Sequence, residues 1–489
     1  MKTEVQRLIR PLLLAFLLAG CTHHEEITRL TGEASQAEAR GDHAIAVARW
    51  TSVLNLDPKN GDAFIRRAAL YEVTGDWAKA IVDYTSYLRL PVKNPKIDDR
   101  FPILRNRTDS PEVPLPHAHV YCQRGILYAK KREFDQALGD LNEALRLDPV
   151  NPLAYVTRGH IYELKGDPDR AFASYTKAIQ VAGDNATGYT YRGSFLHHRG
   201  RYEEAIADLD QALRLEPENP GALLRRGLAC YLHGEPAAAL ADLDQAARLA
   251  PEEPDAYAAR GAVLLDRGEF QEALDDFNHI LLLRPNNPAA LGRRGFALSR
   301  KGLIESALTD LNQAIRMNPG EAVLYAWRGS ALAATNQFDR AMEDFDHAIQ
   351  MNATEAWFYS GRGVVFVKRR QYDQAFADFT RALLVNPGSP EAWNSLAWFR
   401  ATCPEPSFRD GPQAVMLATR ACELTGFEFG TLIDTLAAAY AETGDFDQAI
   451  ACEKQSLEVA SVVHPKRAAM KERLALYEQH KPYRETGNL

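Results

Sequence analysis

One segment recurs at a fixed interval through most of this 489-residue chain, and this periodicity constrains the architecture more than any other feature. The segment GRYEEAIADLDQALRLEP begins at Gly200, and near copies begin at Arg132 and at Gly268, equally far before and after it. Looser copies begin at Gly166 and Gly234, halfway between them, so the underlying period is about 34 residues. Repeats of this length are single supersecondary units that bury their apolar faces against their neighbours.

Each repeat has the pattern of two antiparallel α-helices joined by short turns. In residues 186–219, small and apolar side chains recur at helical spacing on both sides of Gly200. Gly200 lies where the first helix must end, and Pro217 lies where the second helix must end. The next repeat opens with Asn219 and Pro220, a favourable cap followed by a proline suited to the first helical turn. The sequence therefore predicts an all-α fold built from helix pairs.

Small residues recur with the same period and indicate how the two helices of a pair pack. A glycine recurs in the first helix: Gly125, Gly159, Gly193, Gly227, Gly261, Gly295, Gly329 and Gly363. An alanine recurs in the second helix: Ala137, Ala171, Ala205, Ala239, Ala273, Ala307, Ala341 and Ala375. A glycine inside a helix costs about 1 kcal/mol relative to alanine. Its presence in eight repeats predicts a close helix crossing that leaves no room for a Cβ atom.

This pattern, with a small residue at position 8, alanines at positions 20 and 27 and proline at position 32, resembles the tetratricopeptide repeat. The resemblance covers eight regular units over 118–389, two divergent units over 27–93 and two altered units over 390–463. It implies an α-solenoid of stacked antiparallel helix pairs, coiled as a right-handed superhelix with a concave groove. Such a groove binds protein or peptide segments, and no catalysis is expected.

The residues expected to line this groove lie on one face of the first helices. They are Thr187, Thr190, Ser194, Leu224, Leu228, Tyr231, Phe296, Trp357 and Ser360, with Ala258, Ala262, Leu265, Ala326, Ser330 and Val364 on the same face. The face is mildly apolar and carries little charge. It lacks the lysine and asparagine clamp that related domains use for chaperone C-termini, so an extended or helical peptide with apolar side chains is expected. Alternatively, some of these residues pack against neighbouring repeats and bind nothing.

A second recurring pair of residues departs from the commonest form of the repeat. An arginine precedes each glycine: Arg124, Arg158, Arg192, Arg226, Arg260, Arg294, Arg328 and Arg362. An aspartate recurs in the second helices, at Asp140, Asp208, Asp242, Asp276, Asp310, Asp344 and Asp378, with Ser174 in its place in one unit. Because Arg192 and Asp208 fall at the same height in an antiparallel pair, we predict one ion pair per repeat. The alternative is a row of arginines that binds acidic ligands.

The first twenty residues have the features of an export signal. A basic start precedes an unbroken apolar run over 12–19, which is too short to span a bilayer. The run leads into LAGC, which resembles the lipobox of bacterial lipoproteins and predicts lipidation of Cys21 after removal of residues 1–20. A secretion signal with an incidental cysteine is the alternative. The resemblance implies a lipidated tether over 21–26 and a membrane-anchored, exported protein. Because Thr22 is not the aspartate of inner-membrane retention, the periplasmic face of the outer membrane is expected in a Gram-negative organism.

Two segments interrupt or end the array of repeats. The insertion over 94–117 contains five prolines, so it cannot form a continuous helix, and it is either a spacer or a docking element. Residues 464–489 contain a charged amphipathic segment that we interpret as a capping helix and tail, because the last repeat has no further neighbour.

Cys403 and Cys422 lie too far apart along two predicted helices to form a disulfide easily.

The sequence contains little that indicates chemistry. A formal net charge of −8 gives no support to nucleic-acid binding, and no catalytic or nucleotide-binding motif is present. His160, Glu163, His197 and His198 are weighed as a metal site and interpreted as solvated side chains. The cluster His23, His24, Glu25 and Glu26 is interpreted as part of the tether. We therefore expect neither a metal, a cofactor nor a small-molecule substrate.

Together these observations favour an envelope-anchored scaffold or adaptor that binds other proteins or peptide segments and reaches the membrane through its lipid. Two other classes stay open at this point. One is a structural or self-associating envelope protein. The other is an enzyme whose site carries no known motif.

Overall fold

The computed structural model describes residues 24–91, 115–459 and 466–485. In these three segments the chain is helical apart from turns and short connections, and no β-strand is present. Cys21, the signal segment 1–20 and residues 94–114 of the insertion lie outside the described residues.

The described helices fall into two compact units, Met1–Leu249 and Ala250–Leu489. The helices of the first unit are α1 (24–40), α2 (His43–Leu56), α3 (Gly61–Val73), α4 (Trp77–Leu88), α5 (Leu115–Lys130), α6 (Phe134–Leu147), α7 (Pro152–Leu164), α8 (Pro168–Val181), α9 (Ala186–His198), α10 (Tyr202–Leu215), α11 (Pro220–His233) and α12 (Pro236–Leu249). The helices of the second unit are α13 (Pro254–Asp266), α14 (Phe270–Leu283), α15 (Pro288–Arg300), α16 (Ile304–Met317), α17 (Ala322–Ala334), α18 (Phe338–Met351), α19 (Ala356–Lys368), α20 (Tyr372–Val385), α21 (Pro390–Thr402), α22 (Gly411–Leu424), α23 (Gly430–Thr443), α24 (Phe446–Val459) and α25 (Arg467–Glu478). A short 3-10 turn at Pro406–Phe408 lengthens the connection between α21 and α22.

Each helix pair begins and ends where the local sequence predicts. The side chain of Asn219 accepts a hydrogen bond of 3.0 Å from the amide of Ala222, and Pro220 occupies the first turn of α11. Gly200, between α9 and α10, has a φ of +72°, in the left-handed region that favours glycine. Capping and turn chemistry therefore define the repeat boundaries before any tertiary packing is considered.

The close crossing predicted for the two helices of a pair is present. A Cβ atom built on Gly227 of α11 would lie 2.8 Å from Cγ of Leu243 and 3.2 Å from the carbonyl oxygen of Ala239, both in α12. The corresponding glycine Gly193 would meet Leu209 at 2.7 Å. The repeated glycine therefore leaves room for a bulky side chain of the second helix. The repeated alanine of the second helix lets its own backbone carbonyl approach the glycine closely.

Within each unit the pairs stack in a regular order. The second helix of one pair packs against the first helix of the next pair, as α10 does against α11 and α16 does against α17. The first helices also contact each other from pair to pair, as α7, α9 and α11 do in the first unit and α15, α17 and α19 do in the second. The prediction of an all-α solenoid of stacked antiparallel helix pairs is confirmed. We call the surface that the first helices share within a unit the first-helix face.

No helix in the described segments combines the length and the apolar character that a membrane crossing requires.

Candidate peptide-binding face

The predicted groove residues of the first unit lie on α9 and α11. Thr187, Ser194, Leu224, Leu228 and Tyr231 are all half-buried, a degree of exposure that leaves part of each side chain accessible. Thr190 differs, because only 8% of it is exposed and its hydroxyl donates a hydrogen bond of 2.9 Å to the carbonyl of Ala186. It therefore contributes mainly to packing within the repeat.

The predicted groove residues of the second unit include two aromatic side chains. The ring of Phe296 on α15 stacks on Trp327 of α17 with a centroid distance of 5.2 Å, so neighbouring first helices meet through these rings. Trp357 on α19 is half-buried and lies edge-on to Phe358 at 4.5 Å. Ser360 is only 9% exposed. The aromatic residues of this face therefore already contact other side chains. The alternative interpretation, in which some residues of the face pack within the array, expects such contacts.

The repeated arginines form internal ion pairs. In one pair, Nε and Nη2 of Arg226 donate hydrogen bonds of 2.8 and 2.6 Å to the two carboxylate oxygens of Asp242. Only 26% of the Arg226 side chain and 9% of the Asp242 side chain are exposed. The same two-pronged arrangement joins six further predicted pairs: Arg124–Asp140, Arg192–Asp208, Arg260–Asp276, Arg294–Asp310, Arg328–Asp344 and Arg362–Asp378. These guanidinium groups are neutralised inside the repeats and do not form a row of free charges on the first-helix face.

Six of these seven arginines also tie their repeat to the preceding one through their remaining nitrogen. Nη1 of Arg226 donates a hydrogen bond of 2.6 Å to Asp210, in the second helix of the previous pair. Nη1 of Arg328 makes the equivalent hydrogen bond of 2.8 Å to Asn312. The partner lies 16 residues before the arginine, just as the paired aspartate lies 16 residues after it. One guanidinium therefore links three helices from two repeats.

The ladder extends beyond the regular repeats and fails at one of them. Arg67 and Asp83 form the same pair at 2.7 Å in the divergent second repeat, and the first repeat reverses the charges, with Glu33 and Arg49 at 3.0 Å. In the repeat where Ser174 replaces the aspartate, Nε of Arg158 is buried without a hydrogen-bond partner. Aligning the repeats with one another reveals the serine, but only the structure shows that it leaves a buried donor of Arg158 unsatisfied.

The histidine cluster of the first unit has a structural role. Oε2 of Glu163 accepts a hydrogen bond of 2.9 Å from the hydroxyl of Tyr175, and Oε1 lies 3.3 Å from Nδ1 of His198. His160 lies 4.0 Å from the same carboxylate. Burial lowers the pKa of His197, whose Nδ1 has no hydrogen-bond partner. In the part of the chain that the structure describes, no group of three histidine, cysteine, aspartate or glutamate side chains is arranged to hold a metal ion.

One cavity of the second unit lies at its last repeats, on the first-helix face. A cavity of about 500 Å³ is lined by first-helix residues that include Val364 of α19 together with Asn394, Trp398 and Thr402 of α21. Asn394 and Trp398 lie one full period after Ser360 and Val364, so they occupy the same repeat positions as two predicted groove residues. Extending the period into the altered repeat would therefore have found them.

Two buried polar atoms near this cavity lack hydrogen-bond partners. One is Oδ1 of Asn394, which lines the cavity, and the other is Nζ of Lys368, the last residue of α19, which lies 3.9 Å from the lining residue Glu485. An unsatisfied buried polar group costs about 1–3 kcal/mol, and more when it is charged. Groups of this kind are suited to a ligand that brings a carboxylate to the lysine and a donor to the asparagine.

A buried ionic cluster holds α25 against the last repeat beside the cavity. Nε and Nη2 of Arg473 donate hydrogen bonds of 2.7 and 2.8 Å to Asp434 of α23, and both side chains are less than 10% exposed. Glu453 of α24 is fully buried. This burial, together with the neighbouring negative charge of Asp434, raises the pKa of Glu453 to about 10. Glu453 is therefore protonated at neutral pH, and neither of its carboxyl oxygens has a hydrogen-bond partner. Cys403 and Cys422 are both buried free thiols.

The stacked helix pairs and the shared face of the first helices define a helical-repeat protein of the solenoid class. A tetratricopeptide repeat model matches residues 31–91, 122–188, 233–290, 293–356 and 361–402, and a second TPR repeat model matches 193–234. The chain belongs to the tetratricopeptide repeat family. No curated protein sequence matches it significantly.

Solved structures of repeat proteins resemble it in fold. A chain of the APC/C hetero-tetramer Cut9-Hcn1 has a TM-score of 0.50 at 15% identity, covering 93% of this chain and 90% of that chain. Pseudomonas aeruginosa pilF has a TM-score of 0.39 at 24% identity over 42% of this chain and 94% of its own. YrrB, described as a TPR protein with an unusual peptide-binding site, has a TM-score of 0.33 at 26% identity over 40% of this chain and 97% of its own. The first of these supports the fold alone.

Proposed function

We propose that this protein is an envelope-anchored scaffold that binds segments of other proteins on its first-helix face and carries out no catalysis. The observation that carries the proposal is the half-buried state of Ser194, Leu224 and Leu228 on adjacent first helices of one unit. Such side chains combine accessible apolar surface with a rigid backbone, which is suited to an extended or helical peptide. The neutralised arginines add support, since they leave this face without a row of free cations.

The anchor is the second part of the proposal. A diacylated Cys21 would hold the protein at the membrane, because each buried methylene contributes about 0.8 kcal/mol and two chains bind far more firmly than one. The helix α1 already includes residue 24, three residues after Cys21. The repeats would therefore be held close to the membrane surface, where envelope proteins are accessible to them.

The binding proposal is tested by capture of partners from envelope extract with matched variants. Leu228→Glu places a charge on the first-helix face, whereas Leu282→Glu places the same charge on α14, where the leucine is 80% exposed. We expect a stoichiometric partner to be captured by the wild type and by Leu282→Glu but not by Leu228→Glu, with circular dichroism showing that both variants are folded. Capture that is equal for the two variants, or self-association alone, would contradict the proposal.

The anchor is tested separately by replacing the predicted lipidation residue. Cys21→Ser should lose incorporation of a labelled fatty acid and leave the membrane fraction, whereas Cys452→Ser should keep both properties. Fatty-acid labelling that persists in Cys21→Ser would contradict lipidation at this residue.

A further inference from the structure

The last described residues of the chain, 481–485, lie against the first-helix face of the final repeats. We call this segment the tail. The backbone amide of Glu485 donates a hydrogen bond of 3.0 Å to the carbonyl of Thr402, at the C-terminal end of α21. The indole Nε1 of Trp398 donates a hydrogen bond of 2.7 Å to the Glu485 carboxylate. Both the backbone and the side chain of Glu485 are therefore recognised by groups that come from one first helix.

The aromatic residue of the tail is recognised by the same helix and by α25. The ring of Tyr483 lies 5.7 Å from that of Trp398, and the guanidinium of Arg473 lies 5.3 Å from the Trp398 ring and 5.5 Å from the Tyr483 ring. Cation–π contacts of this kind favour an aromatic side chain at this place, and they are strongest where water is excluded. Because Arg473 is itself fixed by Asp434, the platform for an aromatic side chain is rigid.

The tail satisfies this surface only in part. Nζ of Lys368 lies 3.9 Å from Oε1 of Glu485, too far for a hydrogen bond, and has no other hydrogen-bond partner. Oδ1 of Asn394 is also unsatisfied, and the cavity of about 500 Å³ remains beside the tail. A segment that served only to close the array would be expected to satisfy the polar atoms that it buries. The surface therefore has recognition groups in excess of those that the tail uses.

We propose that the tail occupies in cis a site for an extended peptide of another protein, and that this partner carries an aromatic residue followed two positions later by a carboxylate. The partner would place its aromatic ring on Trp398 and Arg473, bring its carboxylate within hydrogen-bond distance of Lys368, and satisfy Asn394 from its backbone or an amide. This inference rests on the proposed peptide-binding function and names the chemistry of one site. Binding requires displacement of the tail, so the tail lowers the affinity of the site for the partner.

Competition with the tail makes the inference quantitative. A tethered segment acts at an effective concentration in the millimolar range, and the apparent affinity for a free peptide falls by the fraction of sites that are open. If the tail is docked in about nine of ten molecules, undocking it improves peptide binding about tenfold. A site that holds the tail only because the tail is covalently attached would give a different result. It would bind a free copy of the tail too weakly to be measured, whether or not the tail is docked.

The probe is a fluorescein-labelled peptide with the sequence of residues 480–489, titrated with the full chain and followed by fluorescence anisotropy. We expect the variant Tyr483→Ala/Glu485→Ala to bind it about tenfold more tightly than the wild type. Adding Trp398→Phe to that variant should reduce binding about tenfold, because the phenyl ring keeps the aromatic contact but cannot donate a hydrogen bond to the Glu485 carboxylate. A control peptide with glutamine at the position of Glu485 should bind more weakly than the parent peptide and should be less sensitive to Trp398→Phe.

Hydrogen exchange supplies a measurement that does not depend on the peptide. In the wild type, the amide of Glu485 should exchange slowly because it is bonded to Thr402, and this protection should be lost in Tyr483→Ala/Glu485→Ala. Protection that is lost without any gain in peptide binding would overturn the inference, as would peptide binding that is insensitive to Trp398→Phe. A wild-type protein that sediments as a dimer and dissociates when its tail is altered would also overturn it, because the occupant would then be a second copy.

The two proposals can fail independently. The peptide experiment reports on α19 and α21, whereas the capture experiment with Leu228→Glu reports on α11. Tail-peptide binding without capture of a partner would remove the proposed function and leave the site. Capture without peptide binding would leave the function and remove the site.

Discussion

Arg226 and Asp242 face each other across a helix pair with two parallel hydrogen bonds of 2.6 and 2.8 Å. Removing one partner of such a pair leaves the other charge buried, which is more costly than losing the contact itself. The ladder of these pairs therefore contributes to the stability of the repeats.

A double-mutant cycle should measure the coupling within this pair. We expect Arg226→Met and Asp242→Asn to be coupled by about 1–3 kcal/mol, because the bonds are bidentate and largely shielded from water. Hydrogen-exchange opening energies of α11 and α12 are the measurement. The exposed pair Arg201–Glu204, with 46% and 56% of the side chains accessible, is the control and should show little coupling because water screens it. Equal coupling in the two cycles would contradict a special role for the ladder.

The repeat that lacks the aspartate offers a test by gain of stability. Ser174→Asp should stabilise α7 and α8 by about 1 kcal/mol, because the new carboxylate can accept from the unsatisfied Nε of Arg158. The free energy of opening of these helices by hydrogen exchange checks the prediction. In an Arg158→Met background the same substitution should give no gain. If Ser174→Asp destabilises the repeat in both backgrounds, the register inferred from the period is wrong.

Two helical glycines should respond in opposite directions to the same substitution. Gly227→Ala should destabilise the first unit by about 1–3 kcal/mol, because the added Cβ would lie 2.8 Å from Leu243. Gly139→Ala, on the exposed side of α6 with no atom within 4 Å of the new Cβ, should stabilise it by about 1 kcal/mol through helix propensity. Urea midpoints of the two variants would settle the matter, and destabilisation of similar size at both positions would count against the close crossing.

Some turns place a residue other than glycine in the left-handed region. Arg132 has a φ of 62° at the position where Gly200 has 72°, and its side chain is exposed. Arg132→Gly should stabilise the turn between α5 and α6 by up to about 1 kcal/mol, because the steric cost of a Cβ in this region exceeds the loss of unfolded-state order. Gly200→Ala, the reverse change, should destabilise its turn. Thermal melting of the two variants should move in opposite directions.

The protonated carboxyl of Glu453 predicts a dependence of stability on pH. Its pKa is about 10 in the folded protein and 4.5 for the free side chain. The folded state therefore binds more protons than the unfolded state between these values, and stability falls as the pH rises through this window. Glu453→Gln removes the titration, so its advantage over the wild type should grow by up to about 1.4 kcal/mol per pH unit.

Urea unfolding at pH 6 and pH 8 is the measurement for Glu453→Gln. The amide has the same shape as the carboxyl group and does not titrate, so the comparison isolates the charge. Parallel pH dependences of the wild type and the variant would show that Glu453 is ionised in the folded protein. A matched control is Glu143→Gln on α6, where the carboxylate is partly exposed and pairs with the exposed Arg146, so its effect should be small.

Periodicity made the repeats, the helix pairs and the Arg–Asp ladder predictable. An interaction such as that of Arg192 with Asp208 recurs at a fixed spacing, so each copy reinforces the interpretation of the others. The second bond of the arginines was not predicted, because its acceptor changes from Thr176 to Asp210 to Asn312 and no single residue type recurs.

Features that occur once could not be read in this way. The docking of Tyr483 and Glu485 on Trp398 depends on how α25 packs against the last repeat, and the sequence of α25 is not repeated elsewhere in the chain. The raised pKa of Glu453 depends on the same packing. Within the predicted groove, the burial of Thr190 and Ser360 depends on small rotations of the helices that a spacing of three or four residues does not define.

The bridges of Arg226 reach partners only 16 residues away on either side, whereas the hydrogen bond from Trp398 to Glu485 spans 87 residues. Contacts that are close in sequence form early and fast, and those that close long loops form late. During synthesis, the repeats can therefore assemble in order from the N-terminal side, while Trp398 and Lys368 stay uncovered until Glu485 has emerged. During that interval the site on Trp398 and Lys368 is open to other peptides. Docking of the tail, which forms late in folding, then closes it.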